Sequence, residues 1–202
     1  MAAKKTPAKA AAAKTAPVKR RSPITRAEGE RRLIDAATQL IQGRPISEVG
    51  VREIAMLADV NAGFVHTWFG SKNDLLVAVL NQEISQFVQI AMQATPGTPV
   101  VNFSDPKIVS TIRLLLWLNL EGVQLQHLLQ NQIFLDTLTA RYIDIEKLNP
   151  EIARATATIG IAIGLASGTF APMLDMDSVD TVEPVMQLWR HVLTLLAKYP
   201  PE

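Results

Sequence analysis

An all-α fold is predicted for this chain of 202 residues by three observations. Apolar residues recur at helical spacing, capping pairs punctuate the segments, and no stretch alternates polar with apolar residues long enough to suggest a sheet. Nearly half of the residues are apolar, enough to bury a sizeable core.

The elements follow in order. Thr25 and Glu28 form a T-x-x-E capping box, and Leu33, Ala36, Ala37, Leu40 and Ile41 make one apolar stripe that Gly43 closes. Gly50 and Glu53 open a short second helix with Val51, Ile54, Ala55 and Ala58 inward, broken by Asp59, Val60 and Asn61. A third helix is expected over 62–69. Ser71 and Asp74 supply another box, after which Leu75, Leu76, Val79, Leu80, Ile84, Phe87 and Val88 keep helical spacing to about Ala94. The proline-rich stretch 95–106 is a loop. Leu114, Leu115, Leu116, Trp117, Leu118 and Leu120 leave helix five apolar nearly all round, which predicts the centre of a second domain. Further helices are expected at 125–130, 133–148, 150–173 and 182–198, the last introduced by Asp180 and Glu183.

Charge divides the chain unevenly. Seven cations (Lys4, Lys5, Lys9, Lys14, Lys19, Arg20 and Arg21) precede residue 23 without an acid, so the remainder of a chain of net charge +1 carries −6. An Ala, Lys and Pro mixture of this kind buries too little apolar surface to offset chain entropy, and residues 1–22 are expected to be a disordered basic arm that meets a polyanion. The stretch 23–72 is nearly neutral, its six bases matched by six acids, so most non-specific attraction to a polyanion falls to the arm.

Two short helices joined by a tight turn are the geometry that places a second helix in the major groove of DNA. The run from Val51 to Leu76, with Phe69, Gly70, Ser71, Lys72 and the Leu75 and Leu76 pair in place, resembles the signature of the TetR (tetracycline-repressor) family. The resemblance covers roughly residues 25 to 80. It implies an N-terminal three-helix helix-turn-helix domain over 23–72 and a helical ligand-binding and dimerisation domain over 73–202. It further implies a homodimeric transcriptional repressor on a pseudo-palindromic double-stranded operator, controlled by a small apolar or amphipathic effector. The chain departs from the family pattern in having Asp59 for the usual turn glycine, Ala62 for a common basic residue, and His66 for a tyrosine that meets phosphate. Asp tolerates the left-handed backbone, so the turn survives, whereas base readout is not transferable.

Residue by residue, Ile54, Val60, Val65 and Phe69 form the small core, leaving Asn61, Ala62, Gly63, Phe64, His66 and Thr67 toward the groove. Asn61 caps the third helix, and Gly63 lets the backbone approach DNA. Phe64 either touches a thymine methyl or packs against helix one. Lys72 in the first turn of helix four opposes the helix dipole, which a phosphate there would explain, and Arg26 and Arg52 near helix starts invite the same reading.

In the second domain Gly160, Gly164 and Gly168 recur every four residues, a face without side chains that demands a closely approaching helix. By the resemblance, this helix and the last one, with Val185, Trp189 and Val192, pair across a dimer axis. Packing within the chain is the competing reading. Trp117, Phe134 and Tyr142 are candidates for the lining of an effector pocket.

Other classes of function find little in the sequence. Absence of cysteine excludes disulfides, thiolate zinc sites and cysteine nucleophiles, and suits a reducing compartment. No nucleophile constellation, phosphate-cradling glycine loop or metal-ligand cluster stands out, so neither an enzyme nor a cofactor is expected. The uncharged run 155–174 carries threonines, three glycines and a proline and is not read as a membrane span, which leaves the cytoplasm as the expected location. An architectural DNA-compacting protein that uses the basic arm is the alternative function.

Overall fold

The structure is a computed structural model and describes residues 24–93, 105–124, 133–170, 173–174 and 178–199. The predicted arm at 1–22, the helix at 125–130 and nearly all of the loop at 95–106 lie outside the described residues. Among the described residues there are eight α-helices and no strand. They are α1 (Arg26–Gly43), α2 (Val51–Leu57), α3 (Gly63–Trp68), α4 (Lys72–Gln93), α5 (Pro106–Leu120), α6 (Ile133–Asp144), α7 (Pro150–Phe170) and α8 (Val179–Lys198), with a 3₁₀ turn at Ile46–Glu48.

The punctuation read from the sequence operates at several boundaries, although α1 runs through Gly43 to a cap at Arg44. Thr25 Oγ1 accepts the Glu28 N–H at 3.3 Å and starts α1. Asp59 stands in the left-handed region at φ 55°, and the Val60 N–H returns to the Ala55 carbonyl at 2.9 Å, which closes α2 without a glycine. Ser71 Oγ accepts the Asp74 N–H at 3.1 Å and donates to its carboxylate at 2.6 Å, which starts α4. The last helix differs. It begins three residues before the expected position, capped by Ser178, whose Oγ accepts the Thr181 N–H at 3.3 Å, and takes Pro184 inside its early turns. The helix expected over 133–148 stops at Asp144, because Lys147 turns left-handed at φ 61° and the Leu148 N–H bonds back to the Tyr142 carbonyl at 3.1 Å.

Two cores result. The first joins Leu33, Ala37, Ile54, Val65, Leu75, Leu76, Val79 and Leu80 of α1 to α4 with Leu114 and Leu118 of α5. The second joins Ala91 of α4 with Leu138 and Tyr142 of α6, Ala153 and Ala157 of α7, and Leu193 of α8. Helix α5 is therefore a bridge and not a fully enclosed centre. One side enters the first core, another meets α7, and Leu120 is 84% exposed. Helices α4 and α7 are long and apolar enough to cross a membrane, yet each commits buried residues to these cores, as core helices of a bundle do.

Candidate nucleic-acid interface

Helix α3 is short, and side chains at both ends brace it. Asn61 Oδ1 accepts the Gly63 N–H at 2.8 Å, and Thr67 Oγ1 donates to the Gly63 carbonyl at 3.1 Å. Val65 is fully buried and anchors one face in the first core, while Asn61, Gly63, Phe64, His66 and Thr67 are exposed and Ala62 is half-buried. All six residues assigned to the groove thus share the accessible part of this segment.

Phe64 packs on a residue of its own helix and stays accessible. Its ring stacks on Trp68 with centroids 4.3 Å apart and planes 2° from parallel, yet it remains 38% exposed. Trp68 in turn lies against Gly29 of α1, where even a Cβ would collide with the indole. Arg26 pairs with Glu30 at 2.7 Å and reaches the Trp68 carbonyl at 3.5 Å, tying α1 to the end of α3. Sequence reasoning missed Gly29 and Trp68. The available signals were the one-turn spacing of Phe64 and Trp68 and a glycine inside a helix where no turn requires it.

His66 Nδ1 lies 3.2 Å from the Gly70 carbonyl oxygen. A carbonyl only accepts, so Nδ1 donates there, which leaves Nε2 as the ring nitrogen open to a partner. Arg52, in the first turn of α2, is exposed and has no hydrogen bond or ion pair among the described residues.

Lys72 is placed otherwise than its sequence position implied. Its ammonium donates to the Ile46 carbonyl at 3.0 Å and sits 5.3 Å from the centre of the Trp117 ring, so it is occupied inside the protein and not presented to a phosphate. Burial there holds its pKa below the ordinary lysine value, opposed by the Glu121 charge. The dipole argument overlooked that a lysine stem is long enough to leave its own helix end.

The three pocket candidates do not converge. Trp117 packs against the first core, whereas Phe134 and Tyr142 belong to the second. Phe134 meets Phe87 edge to face at 4.8 Å. Tyr142 is buried, which raises the pKa of its hydroxyl, while a hydrogen bond with the Trp189 side chain opposes the rise.

The glycine face also turns inward. Gly164 and Gly168 are buried within the chain, and a Cβ on Gly168 would strike Ile112 of α5. Gly160 faces Trp189 and Tyr142, each 3.7 Å from where its Cβ would stand. The close approach predicted for these glycines is therefore met by α5 within the chain at Gly168, and Trp189 turns toward Tyr142. Outward on α8 are Val185, Leu188 and Leu195, with Val192 half-buried, and outward on α7 are Ile159, Ile163 and Phe170. No group of three or more metal-ligating side chains occurs among the described residues.

Comparison with known proteins agrees with this geometry. Residues 33–79 match the family model described as bacterial regulatory proteins, tetR family. The multidrug binding protein EbrR, solved with imidazole, is 23% identical over 85% of this chain and 96% of its own, with a TM-score of 0.55. A TetR-family member from Streptomyces coelicolor A3 is 22% identical over 84% of this chain and 98% of its own, with a TM-score of 0.54. BioQ, solved with its natural double-stranded DNA operator, is 17% identical over 82% of this chain and 97% of its own, with a TM-score of 0.50. No curated protein matches the chain. The family model lies on the helices that build the helix-turn-helix, and the shared all-α fold extends over most of the chain: residues 33–79 are similar to bacterial regulatory proteins of the tetR family, and the chain as a whole is similar in fold to the solved structures.

Proposed function

We propose that the protein is a cytoplasmic, nucleoid-associated repressor that binds a pseudo-palindromic operator as a homodimer and is released or engaged by a small apolar or amphipathic effector. The observation that carries this reading is α3, buried through Val65 and exposed through Asn61, Phe64, His66 and Thr67, directly after a turn held by Asp59. Such a helix reads only a few base pairs, so two copies on a twofold axis are needed for a long site. The stripe Val185, Leu188, Val192 and Leu195 on α8, spaced by three and four residues, supports pairing of that helix with its copy. Within the second core, Phe134 and Tyr142 stand beside Phe87 and Trp189, an aromatic group with one hydroxyl of the kind that lines effector pockets.

Arg52 and Arg26 take phosphates in this reading, while Asn61, Gly63, Phe64, His66 and Thr67 approach base edges, with Ala62 at the helix start. Footprinting on the region upstream of the protein's own gene tests it. A protected site with twofold sequence symmetry is expected, bound on the order of a thousandfold or more tighter than a scrambled duplex. Equal binding to both duplexes defeats the repressor reading and leaves an architectural protein.

A further inference from the structure

The turn that follows α1 faces α5 across an open cleft of about 420 Å³, lined by Arg44, Ile46 and Ser47 on one side and by Arg113 and Trp117 on the other. Cations dominate its surroundings. Arg44 lines the cleft, and its Nη2 is held by the Glu53 carboxylate as an ion pair. Arg113 is exposed and has neither hydrogen bond nor ion pair among the described residues. Lys72 adds a third positive charge beside Trp117. The nearby carboxylates are engaged, Glu53 with Arg44 and Glu121 acting on Lys72.

We propose that this cleft binds a small organic anion, a carboxylate on an apolar or aromatic body, with Arg44 and Arg113 at the carboxylate and Trp117 and Ile46 at the body. Guanidinium forks match the two oxygens of a carboxylate, while indole and aliphatic surface accept a flat apolar group. Such a ligand touches the turn that leads into α2 and also the bridging helix α5, so it bears on how the DNA-binding helices sit against the rest of the chain. The site is separate from the Phe134 and Tyr142 cluster and does not depend on the effector assigned there.

The test is calorimetric titration of the full-length protein with benzoate, phenylacetate and hexanoate, each beside its uncharged amide. At least one carboxylate should bind with one site per chain, its amide should not, and Arg113→Gln should weaken binding about tenfold or more, as loss of a charge-assisted hydrogen bond does. Arg113 is exposed and unpaired, so this variant keeps its fold, which circular dichroism checks. Arg44→Gln should have the same effect wherever it folds. The proposal is overturned if none of the carboxylates binds, if amides bind equally, or if Arg113→Gln binds as the parent does. A protein that binds a carboxylate but no operator keeps this site and loses the repressor reading instead.

Discussion

At the scale of single residues, the surface proposed to face DNA depends on a contact that carries no DNA chemistry of its own. Gly29 leaves the space in which Trp68 lies, and Trp68 supports Phe64. Gly29→Ala should push the indole away, cost about 1 to 3 kcal/mol as overpacking does, and lower operator affinity more than random-duplex affinity. Urea unfolding beside a binding titration measures both, and an unchanged midpoint would show that the ring moves aside freely. Lys72 offers a sharper contrast. Because its ammonium is taken by the Ile46 carbonyl and Trp117, Lys72→Ala should cost about 1 kcal/mol of stability and leave the salt dependence of DNA binding unaltered. A fall of about one unit in the salt slope would instead show that the side chain swings out to a phosphate.

At the scale of elements, α7 and α8 separate two kinds of packing that sequence alone left merged. Gly168 meets Ile112 inside the chain, whereas Leu188 on α8 is 64% exposed. Gly168→Leu should therefore lower the unfolding free energy by about 1 to 3 kcal/mol or more through overpacking against α5. Leu188→Glu should leave the isolated chain's stability nearly unchanged and shift sedimentation from dimer toward monomer, since it charges only the outward stripe. An intact dimer in Leu188→Glu would remove α8 from the interface. The glycine repeat showed that some helix must come close, and only the placement of α5 shows which one does.

At the scale of the whole molecule, the proposed function assigns the main sequence-independent attraction to DNA to the cations before residue 23, because the helix-turn-helix stretch is nearly neutral. Deleting residues 1–22 should lower affinity for any duplex and reduce the log-log salt slope by about 2 to 4 units, with the ratio of operator to random binding kept. Parallel slopes for the full-length and truncated proteins would take the arm out of the mechanism. The all-α class, the helix-turn-helix and its exposed face are legible in the residues alone, because caps, turns and amphipathic spacing act within a few residues along the chain. Asp59 is an example, its short polar side chain admitting the left-handed turn that the observed φ of 55° displays. It takes the packed helices to show that Lys72 is occupied by Ile46 and Trp117, that Trp117 stands apart from Phe134 and Tyr142, and that Gly168 faces α5. Each of these depends on a contact between residues far apart in the chain. Periodicity fixes which face of a helix is apolar, but the neighbour that covers it is chosen by how all the helices pack together.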